Sequence, residues 1–177
     1  SWIHADYQKN YNALLMLWRG IGRYVVERSA ARVLFGPVSI SARYSDASHA
    51  LLVAFLAQNH LERPLAEMVE ALHPTTLPAP TGVAPVLPRS IAEADALVSR
   101  MEADGKGVPV LLRQYLKLNA RVIGFNVDPN FGDALDALMM VDLTTVSDSV
   151  LVRYLGKETA AAFLAKHRTA VDRRQAA

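Results

Sequence analysis

The period of the apolar positions changes several times along the chain, and each change predicts an element. Over residues 12–28, Leu14, Leu17, Trp18, Ile21 and Val25 recur at helical spacing and form one stripe. Gly20 and Gly22 interrupt it. Each weakens a helix interior by roughly 1 kcal/mol relative to alanine, a cost that points to close packing against a neighbour. Asn10 or Asn12 can cap the start. Over residues 32–40 the pattern turns to β-formers, Val33, Leu34, Phe35, Val38 and Ile40, broken by Gly36 and Pro37. Proline lacks the N–H of a central ladder, so a bulge or a splayed edge is expected there. Ser45 or Asp46 then opens a helix that runs to about Asn59, with Leu51, Leu52, Phe55 and Leu56 as its buried face. A further short helix is expected over residues 62–72.

Pro74, Pro78, Pro80, Pro85 and Pro88 break the periodicity of residues 73–89, which read as an extended connector. The chain therefore reads as residues 1–72, the connector 73–89, and residues 90–177. The third part predicts a helix over 90–102 with Ser90 as N-cap and a turn at Asp104, Gly105, Lys106 and Gly107. A helix over 108–118 follows, with Pro109 in its first turn. Strands over 120–127 and 135–143 are joined by a loop at 128–133. Helices over 147–155 and 157–167 precede a frayed tail of ten residues. Strands interleaved with helices give an α/β (α+β) fold class.

Composition narrows the function classes. Hydrophobic residues make up 51% and charged residues 20% of 177, the balance of a folded chain rather than a disordered one. There is no cysteine, which excludes disulfides, thiolate metal sites and cysteine nucleophiles, and fits a reducing compartment. The net charge is only +2, and the one basic cluster is Arg168, Arg173 and Arg174, so no nucleic-acid partner is expected. No apolar run approaches the 18 or more residues of a spanning helix; the run at residues 13–18 stops at Arg19. The chain opens at Ser1 without a basic region and apolar stretch of a secretory signal.

Motifs add chemistry at two places. The five histidines have no ligand spacing, so no metal is expected, and neither a nucleophile elbow nor a phosphate loop occurs. His167 and Asp172 match the His-x-x-x-x-Asp spacing of glycerolipid acyltransferases by chance, five residues before the last one. In residues 35–45, Ser39, Ser41, Tyr44 and Ser45 place hydroxyls where a strand gives way to a helix. The functional reading is a ligand groove with Tyr44 as a proton donor; the plainer one is a strand–helix turn capped by Ser45 or Asp46. In residues 107–117, Arg113 and Lys117 share a face at i,i+4 near a helix start that can meet an anionic or carbonyl group. The plainer reading is a packed helix with a solvated basic face.

These segments are more specific taken together. Residues 7–11 (YQKNY), 14–24 (LLMLWRGIGRY), 33–41 (VLFGPVSIS) with Tyr44 and Ser45, 105–118 (GKGVPVLLRQYLKL) and 124–131 (GFNVDPNF) resemble, in order, the middle of a bacterial hemolysin-labelled family. That family is similar to ornithine-lipid N-acyltransferases and belongs to the GNAT superfamily. The resemblance covers most of residues 1–167. It implies a GNAT-like mixed sheet flanked by helices, with residues 8–28 as donor loop and following helix. It also implies that the chain begins inside its domain, after strands that would complete the sheet at its N-terminal side. GNAT donor loops read Arg/Gln-x-x-Gly-x-Gly/Ala and cradle a diphosphate. Here Gln8 and Ala13 fit, with Lys9, Asn10 and Asn12 between them, while Tyr11 replaces a glycine and would crowd a diphosphate. That substitution favours a donor carried on acyl carrier protein over acyl-CoA.

The implied activity is transfer of a fatty or 3-hydroxy-fatty acyl group from such a thioester to an amine such as ornithine. No covalently bound cofactor is implied. Tyr44 would protonate the leaving thiolate, Ser39 and Ser41 would line the substrate groove, and Arg113 would hold an acceptor carboxylate. The implied place is the cytoplasm, with peripheral contact at the inner membrane face, and an exposed half-sheet invites a homo-oligomer. The rival readings are a membrane-active hemolysin-like module and a non-catalytic module that binds an acyl chain or carrier.

Overall fold

The structure is a computed structural model that describes residues 4, 7, 11–28, 31–75 and 87–175. It is an α+β fold with a three-stranded open antiparallel sheet and a majority of helix. The expected residues Gln8, Lys9 and Asn10, and the middle of the connector, lie outside the described residues. The chain divides into two compact units: residues 1–34 with 142–177, and residues 35–141. The Pro-rich connector runs within the second unit and does not separate the two.

The first unit is helical. α1 (Tyr11–Arg28), α6 (Asp148–Leu155) and α7 (Lys157–Gln175) pack on one another. Trp18 and Val25 of the predicted stripe are buried, whereas Leu17 lies exposed. Trp18 meets the Tyr154 ring edge-on at 5.6 Å. Gly22 lies against the Leu155 side chain so closely that a Cβ would not fit, while Gly20 faces open space. Only one of the two glycines is therefore a packing glycine. Asn12 lies inside the first turn of α1 and not before it, so it is not the N-cap. A 3-10 turn, Leu143–Thr145, is capped by Asp142 and precedes α6. The Leu143 N–H donates to the Arg32 carbonyl at 2.9 Å. Beyond His167 the chain stays helical to Gln175 rather than fraying.

The second unit holds α2 (Asp46–His60), α3 (Arg63–Ala66), α4 (Ile91–Met101), α5 (Val110–Lys117) and the sheet. The sheet has strand order β1-β3-β2, with β1 Val33–Ile40, β2 Arg121–Asp128 and β3 Ala134–Asp142. β2 and β3 form an antiparallel hairpin whose connection is a 3-10 turn, Pro129–Phe131, closed by Gly132 and Asp133 at positive φ. Its mixed character is confined to one isolated parallel bridge, Leu61 to Val122.

Pro37 sits on a strand that runs through Gly36 and Pro37 without a break. The tolerance has a simple cause: β1 is an edge strand, so one side of its backbone needs no ladder partner. The register irregularity falls instead in β2, between Val122 and Gly124. In β1, exposed Phe35, Pro37 and Ser39 alternate with less exposed Gly36, Val38 and Ile40. In β3, Leu135, Ala137, Met139 and Val141 are buried, while Asp136, Leu138 and Met140 are only partly covered. One sheet face is thus core and the other is open.

Leu52, Phe55 and Leu56 of α2 are fully buried, and α2 packs on α4 and β2. The helix expected over residues 62–72 shrinks to the single turn α3. The Glu62 side chain makes no capping hydrogen bond and pairs with Arg121 at 3.6 Å, while the Glu62 N–H is spent on the Val122 carbonyl at 2.8 Å. Among the described residues, no helix is long and apolar enough to cross a membrane.

Candidate functional site

The site grows from the end of β1. After Ser41 the chain turns, with Tyr44 N–H on the Ser41 carbonyl at 3.1 Å, and Ser45 becomes the N-cap of α2. The Ser45 hydroxyl oxygen accepts from Ser48 N–H at 3.2 Å, which satisfies one orphan donor of the helix start. Glu102, the C-cap of α4, reaches back to the same helix start. Its Oε1 accepts from the Ser45 N–H at 2.9 Å and from the Ser45 hydroxyl at 2.8 Å. A helix N-terminus favours such an anion.

These contacts fix the charges. The Ser48 hydroxyl and the Ser45 backbone N–H pull the Glu102 carboxyl down to about 2; burial opposes them, and the Ser45 hydroxyl and Lys106 add to the pull. Glu102 is therefore a fixed anion at neutral pH and not an acid–base group. Lys106 Nζ lies 3.2 Å from Glu102, 3.5 Å from Asp104 and 4.6 Å above the centre of the Tyr44 ring. It also donates to the Arg43 carbonyl at 3.0 Å. Burial works against its charge, but the two carboxylates outweigh that and hold the ammonium above its ordinary value.

The Tyr44 hydroxyl donates to the Gly107 carbonyl at 2.8 Å. Burial pushes its pKa up; Lys106 pulls it down, Glu102 and Asp104 push it up, and the net shift is upward. The phenol stays protonated at neutral pH and is a donor, not a base. His49 is buried with Nε2 3.1 Å from the Ser41 carbonyl, and its ring lies 6.2 Å from that of Tyr44. A carbonyl can only accept, so Nε2 carries the hydrogen.

A second knot adjoins the first through the Gly107–Val108 backbone. Asp95 Oδ1 accepts from the Val108 N–H at 2.8 Å and from Arg113 Nη1 at 3.1 Å. Gly107 lies against the Asp95 and Ser99 side chains, where a Cβ would not fit. Arg113 is close enough to lower the Tyr44 pKa in part. Tyr44, Ser41 and Arg113 are thus brought into one neighbourhood, together with Glu102, Lys106, Asp95 and His49, which the sequence reading did not single out.

No family model, curated protein or solved structure matches this chain.

The other expected residues lie on β1 and α1. Ser39 is exposed on β1, on the opposite side of the strand from buried Ile40. Asn12, exposed, and Ala13 belong to α1 in the first unit. That unit carries an apolar groove of about 520 Å³ along α1, between Met16, Leu17, Tyr24 and Leu34. Among the described residues no three His, Asp or Glu side chains converge as a metal site. Of the missed residues, Glu102 and Lys106 carried one faint signal, an acid and a base four apart across a glycine turn.

Proposed function

We propose that the chain belongs to an N-acyltransferase of the GNAT type, which moves a fatty or 3-hydroxy-fatty acyl group from a carrier thioester to an amine such as ornithine. The observation that carries the reading is Tyr44: a phenol held protonated, flanked by Lys106 and within the field of Arg113. In the reaction the free amine attacks the thioester carbonyl, the C–N bond forms and the C–S bond breaks. The Tyr44 proton passes to the departing thiolate, and the phenolate recovers a proton from the newly formed ammonium. Lys106, over the ring face, stabilises the transient phenolate. Arg113, oriented by Asp95, offers a cationic anchor for an acceptor carboxylate. Acyl carrier protein is the donor's carrier in this reading, since Tyr11 stands where a diphosphate loop needs glycine. The reading places the activity at the cytoplasmic side of the inner membrane, where lipid products are made.

The test is an acyl-transfer assay of the gene product with 3-hydroxyacyl carrier protein and ornithine, read by mass spectrometry of the N-acylated product. Tyr44→Phe should lower turnover by roughly 100-fold or more, the range of a positioned general acid. Unchanged turnover would remove Tyr44 from the mechanism, and absence of product from every amine tried would sink the acyltransferase reading.

A second reading is favoured by the apolar groove along α1, where Met16 and Tyr24 are exposed. It is a non-catalytic module that binds an acyl chain or carrier, or a membrane-active one. Release of haemoglobin from red cells by the purified protein, with no acyl transfer, would support the membrane-active form.

A further inference from the structure

The open face of the sheet has a partial roof. The stretch from Glu62 to His73, which includes α3, is clamped to the outer edge of β2 at both ends. Glu62 N–H meets the Val122 carbonyl at 2.8 Å, and at the far end Val127 N–H meets the His73 carbonyl at 2.9 Å. The His73 N–H is taken in turn by Asn126 Oδ1 at 2.8 Å. Between these anchors residues 66–72 bow away from the strands and leave a pocket of about 340 Å³. Val69 forms the roof over Gly124, and Leu72, Leu138 and Pro37 also line the pocket. Gly124 has no side chain to fill it, and even a Cβ there would only reach ordinary contact with Val69, at 3.6 Å.

The pocket is mostly apolar, with Glu70, Asn126 and Asp136 as the polar residues among the described lining. Asp136 lines it, and its Oδ1 is buried without a hydrogen-bond partner among the described residues. A buried carboxylate oxygen without a donor is costly, because it has lost water and gained nothing. Among the described residues the other ionisable one in the lining is Glu70, and no lysine, arginine or histidine lines the pocket. The pocket is therefore apolar in shape and anionic in charge, and its volume is at the small end for ligand sites.

We propose that this pocket is a binding site for a small amine with an apolar body, its ammonium on Asp136 and its hydrocarbon against Val69, Leu72 and Leu138. The ammonium pairs with the Asp136 carboxylate, which has no cationic partner of its own among the described residues, and the alkyl part covers the open sheet face. The proposal does not depend on acyl transfer. The site faces away from the buried side of β3, and none of Tyr44, Lys106 or Arg113 lines it.

The probe is n-hexylammonium, titrated into the intact ¹⁵N-labelled protein while the backbone amides of Val69, Gly124 and Asn126 are followed. Saturable shifts at these amides are expected, with neutral n-hexanol at least 10-fold weaker and n-hexanoate weaker still. Asp136→Asn should reduce the preference for the amine over the alcohol to less than 3-fold. Gly124→Ala, which the roof can accommodate, should weaken amine and alcohol alike by narrowing the pocket. The idea is overturned by absence of saturable shifts, by equal binding of alcohol and amine, or by an undiminished amine preference in Asp136→Asn. If Asp136→Asn does not fold, the comparison of amine with alcohol on the unaltered protein and the Gly124→Ala titration decide between the same outcomes.

Discussion

Gly107 shows how a single position can carry the site. Its missing side chain lets the Asp95 carboxylate reach the next backbone N–H, on Val108, and hold Arg113 with the same oxygen. Gly107→Ala must push Asp95 aside, and overpacking of this kind costs about 1–3 kcal/mol. Urea unfolding should show that loss. A variant as stable as the parent would mean that Asp95 yields freely and does not position Arg113. The sequence made Tyr44 and Arg113 legible because hydroxyl and guanidinium groups near a strand end and a helix start are local signals. Glu102 and Asp95 were not legible, because their bonds join positions 57 and 18 residues apart. An acidic residue at the end of a helix reads as surface until the fold brings another helix start to it. The same limit hid Asp136: strand alternation puts it on the less buried face of β3, but only the fold closes residues 66–72 over it.

At the scale of elements, local chemistry was the better guide where a cap was involved. Ser45 and Ser90 both serve as side-chain caps, of α2 and α4. Ser45→Ala removes the α2 cap, worth about 1 kcal/mol by itself, and also strips Glu102 of a hydroxyl donor. The expected loss on urea unfolding is therefore larger than for Ser90→Ala, whose hydroxyl only accepts from Glu93 N–H at 3.2 Å. Equal losses would show that the Ser45–Glu102 bond contributes nothing beyond capping. Elements were misread where tertiary partners took the backbone groups. Residues 62–72 have helical composition, yet β2 captures the N–H of Glu62 and both backbone groups of His73, so one turn is all that forms. Gly36 and Pro37 suggested a break in β1, and an edge position made the break unnecessary. The bulge went to β2 instead, beside Gly124, where no proline announced it.

The whole molecule was legible as an α+β chain, and its two compact units, residues 1–34 with 142–177 and residues 35–141, are built from stretches distant in sequence. The Pro-rich connector is the loudest signal in the sequence, yet α1 finds its partners in α6 and α7, far along the chain. The charge distribution over both units gives the last prediction, a window of pH stability. His167 is only 9% exposed, stacks on Phe163 at 4.4 Å, and has no partner for Nε2 among the described residues. Burial lowers its pKa, and the nearby charges of Lys166 and Arg32 lower it further, against a partial offset from Asp142. His60 is lowered by burial and by Arg121. For both, the folded state binds protons less readily than the unfolded chain. Stability is then complete above their ordinary value of 6.5 and falls as pH drops below it. Glu102 acts in a lower window: its contribution is present above 4.5 and lost as pH falls toward 2. On the alkaline side Tyr44 and Tyr115 have pKa values raised by burial, so their contribution is complete below 10 and is lost above it. Urea midpoints measured from pH 4 to pH 10.5 should form a plateau from about 6.5 to 10, with a decline on each side. His167→Leu should flatten the upper part of the acid decline, between 6.5 and 5, and leave the Glu102 part below 4.5 in place. A midpoint that does not move between pH 7 and pH 5, in the parent and in the variant alike, would mean that His167 takes up its proton in the folded state as easily as in water, and that its burial against Phe163 is not maintained.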